Sequence, residues 1–535
     1  MLIARSAAAA AAGLLLAVAV DPLRLWWAAP LGVAALSLAT WRGRARSAAA
    51  LGLLAGFVWF GVATAWVSRV AFAAWPGLAL VEAVYVLVLA VGLAATSRLP
   101  GAPLWQATLW ATIETLRSSW PLGGFPWLRL AHTSPDGPFA AYLPAVGVVG
   151  TSAVIALTGS LLATLLISLA SRRVGRSAAA LAAIGLAVGG AYALLALLPS
   201  WSDPENGRAG EDIEVALVQG GIRDGGSYSS PEIVLGTHVA ATEDLAARVG
   251  RGEIPQPDLV IWPENASDAD PFADPSVFAD IAGAVRAVGA PALTGIVVDR
   301  NAEARARGVR WKNRVQAWSA EGEPGAFYDK QHGVPFGEYV PLRDLLTPIF
   351  PQLALVPQDM RPGIRRGVLE VARPVEPAPA GGAVAEPQPD TLPVGVLVCF
   401  EVADVGLARD AVADGAQVVA VPTNNATYLG TPQPAQQLAI ARTTAMATHR
   451  PLLVAATNGV TALVDADGQV RTELPLDTTA VLTAAVTPRS DLVPAVAHGL
   501  LIDRIIWVLA GLGLLGASMR TRLVRLDREP AGEDA

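Results

Sequence analysis

The sequence is short of sulfur and of lysine. Its 535 residues include one cysteine, Cys399, and lysine occurs only at Lys312 and Lys330. A single cysteine excludes an intramolecular disulfide framework and leaves either a buried inert thiol or a reactive one. The five histidines show no metal-ligand spacing, so we expect no metal site. Because lysine is so rare here, each lysine is a candidate for a specific role.

Charged residues are also scarce. They make up 16% of the chain, whereas hydrophobic residues make up 53%; an ordinary soluble protein has roughly a quarter charged residues. Part of this chain is therefore expected to lie in lipid. Residues 1–200 carry twelve arginines against four acidic residues, so the acidic surplus lies in the remainder. Nothing in that remainder indicates a nucleic-acid partner.

Apolar segments long enough to span a membrane, about 20 residues each, recur along the first 198 residues, and one more lies near the C-terminal end. We predict spans near 6–20, 25–41, 48–66, 77–97, 103–117, 143–170, 177–198 and 500–518. The first has an alternative interpretation as a signal peptide, since Arg5 precedes a short Ala/Leu run. The fifth contains Glu114 and Arg117, which predicts either a functional or paired role inside the membrane or an interfacial position.

Arginines between the spans predict the orientation, because basic residues concentrate on the cytoplasmic side. They follow the second, fourth and sixth spans and the last one: Arg42, Arg44, Arg46, Arg98, Arg172, Arg173, Arg176, Arg520, Arg522, Arg525 and Arg528. All lie on one side if Arg5 is cytoplasmic. We therefore predict a multi-pass protein of the cytoplasmic membrane. Its predicted parts are a transmembrane domain (1–199), a polar extracytoplasmic domain (200–495) and a last transmembrane helix with a basic tail (496–535).

The external region has the alternation of an α/β domain. Nearly continuous apolar runs predict buried strands within 214–221, 258–265, 291–299, 392–401, 416–425 and 452–459, with helices at 231–251, 275–289 and 433–449. Residues 370–392 are rich in Pro and Ala without periodicity, which predicts a solvated loop inserted before the strand that leads to Cys399.

Three segments of the external region carry an ionisable or nucleophilic side chain at or just after a strand. Glu264 lies in WPEN, Lys330 in FYDKQHGVPFGEYVP, and Cys399 in VCFE. A thiol is a modest nucleophile until a base or a cation helps it to ionise. A carboxylate can accept the proton, and an ammonium can stabilise the oxyanion that forms on an attacked acyl carbonyl. Each signal is weak alone, but together they predict an acyl-transfer site.

These segments, in this order, resemble the Glu-Lys-Cys triad of the nitrilase superfamily, whose fold is an αββα sandwich. With seven spans before them and one after, the chain resembles the bacterial apolipoprotein N-acyltransferase family over nearly its whole length. Further segments that carry the resemblance are GGFPWLRLAHT (123–133), VPFGEYVP (334–341), TNNATYLG (423–430) and RPLLVAATNG (450–459).

The resemblance implies a role for each matching residue. Cys399 would be the nucleophile, Glu264 the general base and Lys330 the oxyanion-stabilising cation, with the backbone N–H of Phe400 as a second oxyanion donor. Glu338 and Glu401 match supporting acidic positions. Asn424 and its neighbour Asn425 either line the pocket or cap a turn. Phe400 stands where many members have Tyr, and Tyr428 where they have Trp; both departures bear on the shape of the acyl pocket and leave the triad intact.

The implied activity is transfer of an acyl chain from a phospholipid, through a Cys thioester, to the α-amino group of the diacylglyceryl-cysteine at a lipoprotein N-terminus. It would be a ping-pong reaction without metal or organic cofactor. Two alternatives stay open. One is a membrane-tethered nitrilase-type amidase. The other is a non-enzymatic scaffold for a polyprenol-dependent glycosyltransferase, such as a polyprenol-phosphate mannosyltransferase partner.

Overall fold

The computed structural model describes residues 2–197, 207–221, 230–373 and 391–526. The chain divides into two compact units. The helical unit comprises Met1–Ser202 and His498–Ala535, and the α/β unit comprises Asp203–Ala497. Within the described ranges the α-helices are α1 Leu2–Val18, α2 Ala28–Thr40, α3 Ala45–Ala63, α4 Ala74–Thr96, α5 Ala102–Arg117, α6 Leu143–Ala170, α7 Val174–Leu197, α8 Pro231–Gly250, α9 Pro275–Val288, α10 Ala302–Ala306, α11 Arg343–Leu346, α12 Val405–Ala413, α13 Gln433–Thr448, α14 Pro494–Ala497 and α15 Gly499–Leu526. The strands are β1 Ile213–Gln219, β2 Leu259–Ile261, β3 Ala292–Val298, β4 Lys312–Trp318, β5 Pro324–Asp329, β6 Val368–Ala372, β7 Thr391–Val396, β8 Val418–Thr423, β9 Leu452–Ala456, β10 Ala462–Val464, β11 Val470–Glu473 and β12 Ala480–Val486.

A helix occurs at each of the eight predicted spans, but the helices are not equally suited to cross a membrane. In the described part of the chain, four are long and apolar enough by length and composition: Ala45–Ala63, Ala74–Thr96, Pro138–Ala170 and Gly499–Leu523. Three shorter apolar helices lie at Leu2–Val18, Ala28–Thr40 and Val174–Gly190. Four candidate membrane helices are thus established, and the full set of eight stays a prediction. The last helix extends to Leu526, so part of the predicted tail is helical.

Small residues let the membrane helices approach closely. Gly52 and Gly56 lie one turn apart on α3, and a Cβ atom at either would lie 2.5–2.7 Å from atoms of Ala90 or Ala83 on α4. This arrangement is the small-xxx-small packing of transmembrane helices, in which backbones meet because no side chain separates them. The closing helix α15 packs against α4, α5 and α6 within the same unit.

The charged residues of α5 are buried and paired. Glu114 and Arg117 are each 2–3% exposed. Arg117 lies 3.4 Å from the carboxylate of Glu82 on α4 and donates to two backbone carbonyls of segment 123–133 at 2.9 Å. Glu114 accepts a hydrogen bond from the backbone N–H of Leu130 at 2.8 Å. The two residues are therefore paired, as one interpretation predicted, and their depth relative to a membrane interface stays a prediction.

The α/β unit contains two six-stranded sheets. Their strand orders are β12-β1-β2-β3-β4-β5 and β11-β10-β9-β8-β7-β6. The central three strands of each sheet run parallel, namely β1, β2 and β3 in one and β7, β8 and β9 in the other. Antiparallel strands extend both edges of each sheet. Parallel strands normally lie buried between layers, which accounts for their nearly continuous apolar sequences.

Two clusters of buried side chains show how the sheets and helices of the α/β unit pack in layers. One buried cluster joins the facing sides of the two sheets, with Val215, Leu217 and Ile261 from the first and Val394, Val396, Val418 and Leu453 from the second. A second cluster packs α8 and α9 on the outer side of the first sheet, through Leu245, Ile281, Val285, Val218 and Val260. Helices α12 and α13 contact β7 and β9 of the second sheet. The predicted αββα sandwich is confirmed.

The sequence interpretation missed six strands. All six, β4, β5, β6, β10, β11 and β12, are antiparallel strands. β4, β5, β6 and β11 mix polar with apolar residues, so they lack the apolar runs that identified the central strands. β10 is apolar but only three residues long, and a threonine interrupts β12. The predicted loop at 370–392 was too long at both ends, because residues 370–372 lie in β6 and residues 391–392 in β7, which pair with each other. The rest of that loop, 374–390, lies outside the described residues.

Candidate active site

Glu264 is held at the carboxyl end of β2 by a close backbone crossing. The turn after β2 passes over β3 at Gly295, where an added Cβ would lie 2.1 Å from the carbonyl oxygen of Pro263 and 2.7 Å from Cα of Glu264. Only glycine fits such an approach. Glu264 is 4% exposed, and its Oε2 accepts a hydrogen bond from the backbone N–H of Asn424 at 3.1 Å.

Lys330 follows β5 and is 1% exposed. Its backbone N–H donates to the carbonyl of Asn313 on the neighbouring strand β4 at 2.8 Å, which continues the strand pairing up to the lysine. The ammonium Nζ lies 2.9 Å from Glu264 Oε1 and 3.0 Å from Glu338 Oε2. Burial lowers the pKa of Lys330, but the charges of Glu264, Glu338 and then Cys399 more than offset this effect, so the pKa is well above its usual value. Lys330 is therefore a permanent cation between two carboxylates.

Asn313 is a site residue that the sequence interpretation did not identify. Its Nδ2 donates to Glu264 Oε1 at 2.7 Å and to Glu338 Oε1 at 2.8 Å. Glu338 in turn accepts from the backbone N–H of Val334 at 2.8 Å. Asn313 lies in KNRVQAW directly after the other lysine, and only the pairing of β4 with β5 brings it beside Lys330. The sequence holds no local signal for it.

Cys399 occupies the tight turn between β7 and a 3-10 helix at Cys399–Ala403. Its φ angle is 53°, a left-handed conformation that is costly for a residue with a side chain and that accumulates at functional sites. The thiol is partly buried against the core between the sheets. Burial and, after it, the negative charge of Glu264 raise the pKa of Cys399, and Lys330 opposes them. Cys399 is therefore close enough to Glu264 and Lys330 for their charges to affect its ionisation.

Glu401 joins the cysteine turn to the lysine loop. It is 0% exposed. Its Oε2 accepts from the backbone N–H of Val398 at 2.8 Å, just before the cysteine. Its Oε1 accepts from the backbone N–H groups of Gln331 and His332 at 2.7 and 3.0 Å, just after Lys330. Glu401 therefore positions these two segments relative to each other and does not itself form part of the Glu264–Lys330–Glu338 cluster.

The TNNATYLG segment borders the same site. Asn424 contributes its backbone N–H to Glu264 while its side-chain oxygen accepts from the N–H of Ala426 at 3.1 Å, so its side chain caps a turn. Tyr428 is half-buried; burial first, and then the charge of Cys399, raises the pKa of Tyr428 to about 12. Phe400 is half-buried directly after the nucleophile candidate. In the described ranges, no group of three His, Cys, Asp or Glu side chains could hold a metal ion.

The arrangement has the parts of a covalent acyl-transfer site. It holds a thiol on a strained turn, a buried carboxylate beside it, and a buried cation that interacts with both. Residues 214–491 match the family model described as carbon-nitrogen hydrolase. Fold and match together make this unit a nitrilase-like α/β domain.

Matches outside the α/β unit and over the whole chain identify a more specific family. Residues 12–161 match the model of the apolipoprotein N-acyltransferase N-terminal domain. A curated protein of Mycolicibacterium smegmatis named apolipoprotein N-acyltransferase is 32% identical over 520 residues, which cover 95% of this chain and 84% of the relative. One of Pseudomonas paraeruginosa with the same name is 31% identical and covers 97% of both chains. This chain belongs to the apolipoprotein N-acyltransferase family, and this membership supports lipoprotein N-acylation as its function.

Solved structures are more distant. A mutant of the Nesterenkonia amidase from the nitrilase superfamily is 17% identical, with a TM-score of 0.33, and the match covers 52% of this chain and 92% of that chain.

Proposed function

We propose that the α/β unit catalyses transfer of one acyl chain from a phospholipid to the α-amino group of the S-diacylglyceryl-cysteine at the N-terminus of a lipoprotein. The acyl chain is carried on Cys399 as a thioester between the two half-reactions. The observation that carries the proposal is that Cys399, Glu264 and Lys330 come together in a chain that belongs to the acyltransferase family.

In the first half-reaction, Glu264 accepts the proton of the Cys399 thiol, and the thiolate attacks the carbonyl carbon of the phospholipid ester. The carbonyl oxygen becomes an oxyanion that the Lys330 ammonium and the backbone N–H of Phe400 stabilise. When this intermediate collapses, the ester C–O bond breaks and protonated Glu264 gives its proton to the leaving alkoxide. A lysophospholipid departs, and the acyl group remains on sulfur.

In the second half-reaction, the lipoprotein amine attacks the thioester carbonyl and Glu264 accepts the amine proton. Collapse of the second oxyanion forms the amide bond and breaks the C–S bond, and the proton returns from Glu264 to the thiolate. Glu338 and Asn313 keep the side chains of Lys330 and Glu264 in position during both half-reactions. Glu401 keeps the cysteine turn against the lysine loop, and Asn424 and Tyr428 border the acyl pocket.

Both substrates are lipids of one membrane leaflet, and the helical unit confines the enzyme to that membrane, which raises their effective concentration at the site. The arginine pattern supports an extracytoplasmic α/β unit within 200–495, in the bacterial cytoplasmic membrane, between membrane domains at 1–199 and 496–535. The N-terminal domain match and the relatives' names favour acyl transfer over hydrolysis of a soluble amide. They offer no support for a mannosyltransferase partner, and the proposal does not include one.

The thioester tests the proposal. Full-length protein incubated with phospholipid and no acceptor should accumulate an acyl adduct on the peptide that contains Cys399, and neutral hydroxylamine should release it. Cys399→Ser should fold but transfer almost nothing, because the same base generates an alkoxide far less readily than a thiolate. Glu264→Gln should form no adduct. Normal acyl transfer by a protein that never carries the adduct would refute the covalent mechanism.

A further inference from the structure

A side-chain amide on helix α13 contacts the reactive sulfur. Gln437 is 4% exposed, and its Nε2 lies 3.8 Å from Sγ of Cys399 and 3.3 Å from Oγ1 of Thr423. The first distance is within the range of a hydrogen bond to sulfur, whose large radius lengthens such contacts. The catalytic steps described above make no use of this amide.

Neighbouring amides fix which end of Gln437 faces the thiol. Its Oε1 accepts hydrogen bonds from Asn425 Nδ2 at 2.7 Å and from Gln433 Nε2 at 3.3 Å. Rotating the Gln437 amide by 180° would place its NH₂ group against these two NH₂ donors, and both hydrogen bonds would be lost. Oγ1 of Thr423 donates its own hydrogen to the carbonyl of Val421 at 3.3 Å, so it accepts from the NH₂ group of Gln437. The donor end of Gln437 therefore faces Cys399.

The sulfur needs such a donor. Burial, and then the charge of Glu264, raise the pKa of the Cys399 thiol, and Lys330 and the backbone N–H of Asn424 oppose this shift only in part. The Lys330 ammonium is already shared between two carboxylates. Tyr428 adds no counter-charge, because a phenol is neutral when protonated and negative when ionised. A neutral N–H donor stabilises a thiolate more than a thiol, because hydrogen bonds to charged groups are the stronger ones.

We propose that Gln437 is a further catalytic residue, whose side-chain amide donates a hydrogen bond to the Cys399 thiolate and stabilises it once Glu264 has taken the proton. The inference rests on the proposed role of Cys399 as the nucleophile. It assigns a chemical role to one amide of the Asn425–Gln433–Gln437 group and a supporting role to the other two.

Because Cys399 is the only cysteine, iodoacetamide alkylation of the full-length protein in detergent reports on this thiol directly. We expect Gln437→Met, which keeps the length of the side chain but has no donor, to raise the apparent thiol pKa by about one unit and to slow alkylation about tenfold at neutral pH. The matched control Gln433→Met removes a neighbouring amide that bonds Asn425 and leaves the Gln437 donor in place. Its alkylation profile should shift less than that of Gln437→Met, because Asn425 still holds the Gln437 amide.

Two further measurements keep the inference testable. Gln437→Glu keeps the acceptor for Asn425 but places a carboxylate against the sulfur, so it should slow alkylation at least as much, which covers the case that Gln437→Met fails to fold. In acyl transfer, Gln437→Met should lower the rate of thioester formation and leave the phospholipid KM unchanged. A wild-type pH profile in both Gln437 variants, or an equal shift in Gln433→Met, would overturn the assignment. Absence of any acyl adduct on the wild type would instead refute the proposed function.

Discussion

Replacing Lys330 by methionine should remove both the oxyanion cation and the counter-charge of the site. Lys330 is 1% exposed and lies 2.9–3.0 Å from two carboxylate oxygens. Removal of one partner from a buried ion pair costs about 3–5 kcal/mol, because the remaining charge stays buried, and loss of one oxyanion donor costs roughly 10²–10³ in rate. We expect Lys330→Met to lower the Tm of the full-length protein by on the order of 10 °C and thioester formation by at least a hundredfold.

A double variant separates the two effects. Lys330→Met with Glu338→Gln removes one positive and one negative charge, so stability should recover in part while thioester formation stays low. Lys330→Arg keeps the charge, but its broad planar guanidinium does not match a pocket that holds a compact ammonium, and it should also be slow. Thermal unfolding and mass spectrometry of the Cys399 peptide provide the two readouts. Near-normal acylation in Lys330→Met or Lys330→Arg would remove Lys330 from the mechanism.

Three further predictions follow from the charge pattern, the backbone crossing and the titration of one histidine. In a thiol-free background, cysteine substituted for Arg300 should react with a membrane-impermeant reagent in intact cells and cysteine substituted for Arg44 should not; the reverse labelling would overturn the orientation. Gly295→Ala, whose Cβ would lie 2.1 Å from a backbone oxygen, should cost about 1–3 kcal/mol and slow acylation, whereas Gly283→Ala, with nothing within 4 Å, should leave both unchanged. The carboxylate of Asp404 is hydrogen-bonded to His332 and raises the pKa of His332 above its usual value. The Tm difference between wild type and His332→Gln should therefore be largest below about pH 6.5 and vanish as pH rises through the raised pKa. A Tm difference that does not depend on pH would contradict this.

Periodicity predicted the α/β layers correctly wherever strands are buried on both sides. The parallel strands β1, β2, β3, β7, β8 and β9 were all predicted, because burial on two faces requires apolar residues at consecutive positions. The antiparallel strands were missed. β4, for example, buries the polar residues Asn313 and Gln316 among its apolar ones, so it contains no apolar run. Strand order and the facing of two sheets depend on contacts between distant segments, which periodicity does not record.

The three candidate reactive groups could be identified from the chain, because the lone cysteine and a glutamate each follow an apolar run and lysine occurs only twice. The distances between these groups could not be predicted. Glu264 and Cys399 are 135 positions apart in the sequence and meet only when the carboxyl ends of β2 and β7 face each other across the sandwich. Asn313 and Gln437 illustrate the same limit. Each is an ordinary polar residue in its own element, and each acquires its role because strand pairing or helix docking places its amide against a charge or a sulfur. The sequence by itself therefore determined which reactive residue types the protein contains. Their hydrogen-bond geometry was decided only by the tertiary structure, because it depends on contacts between distant segments.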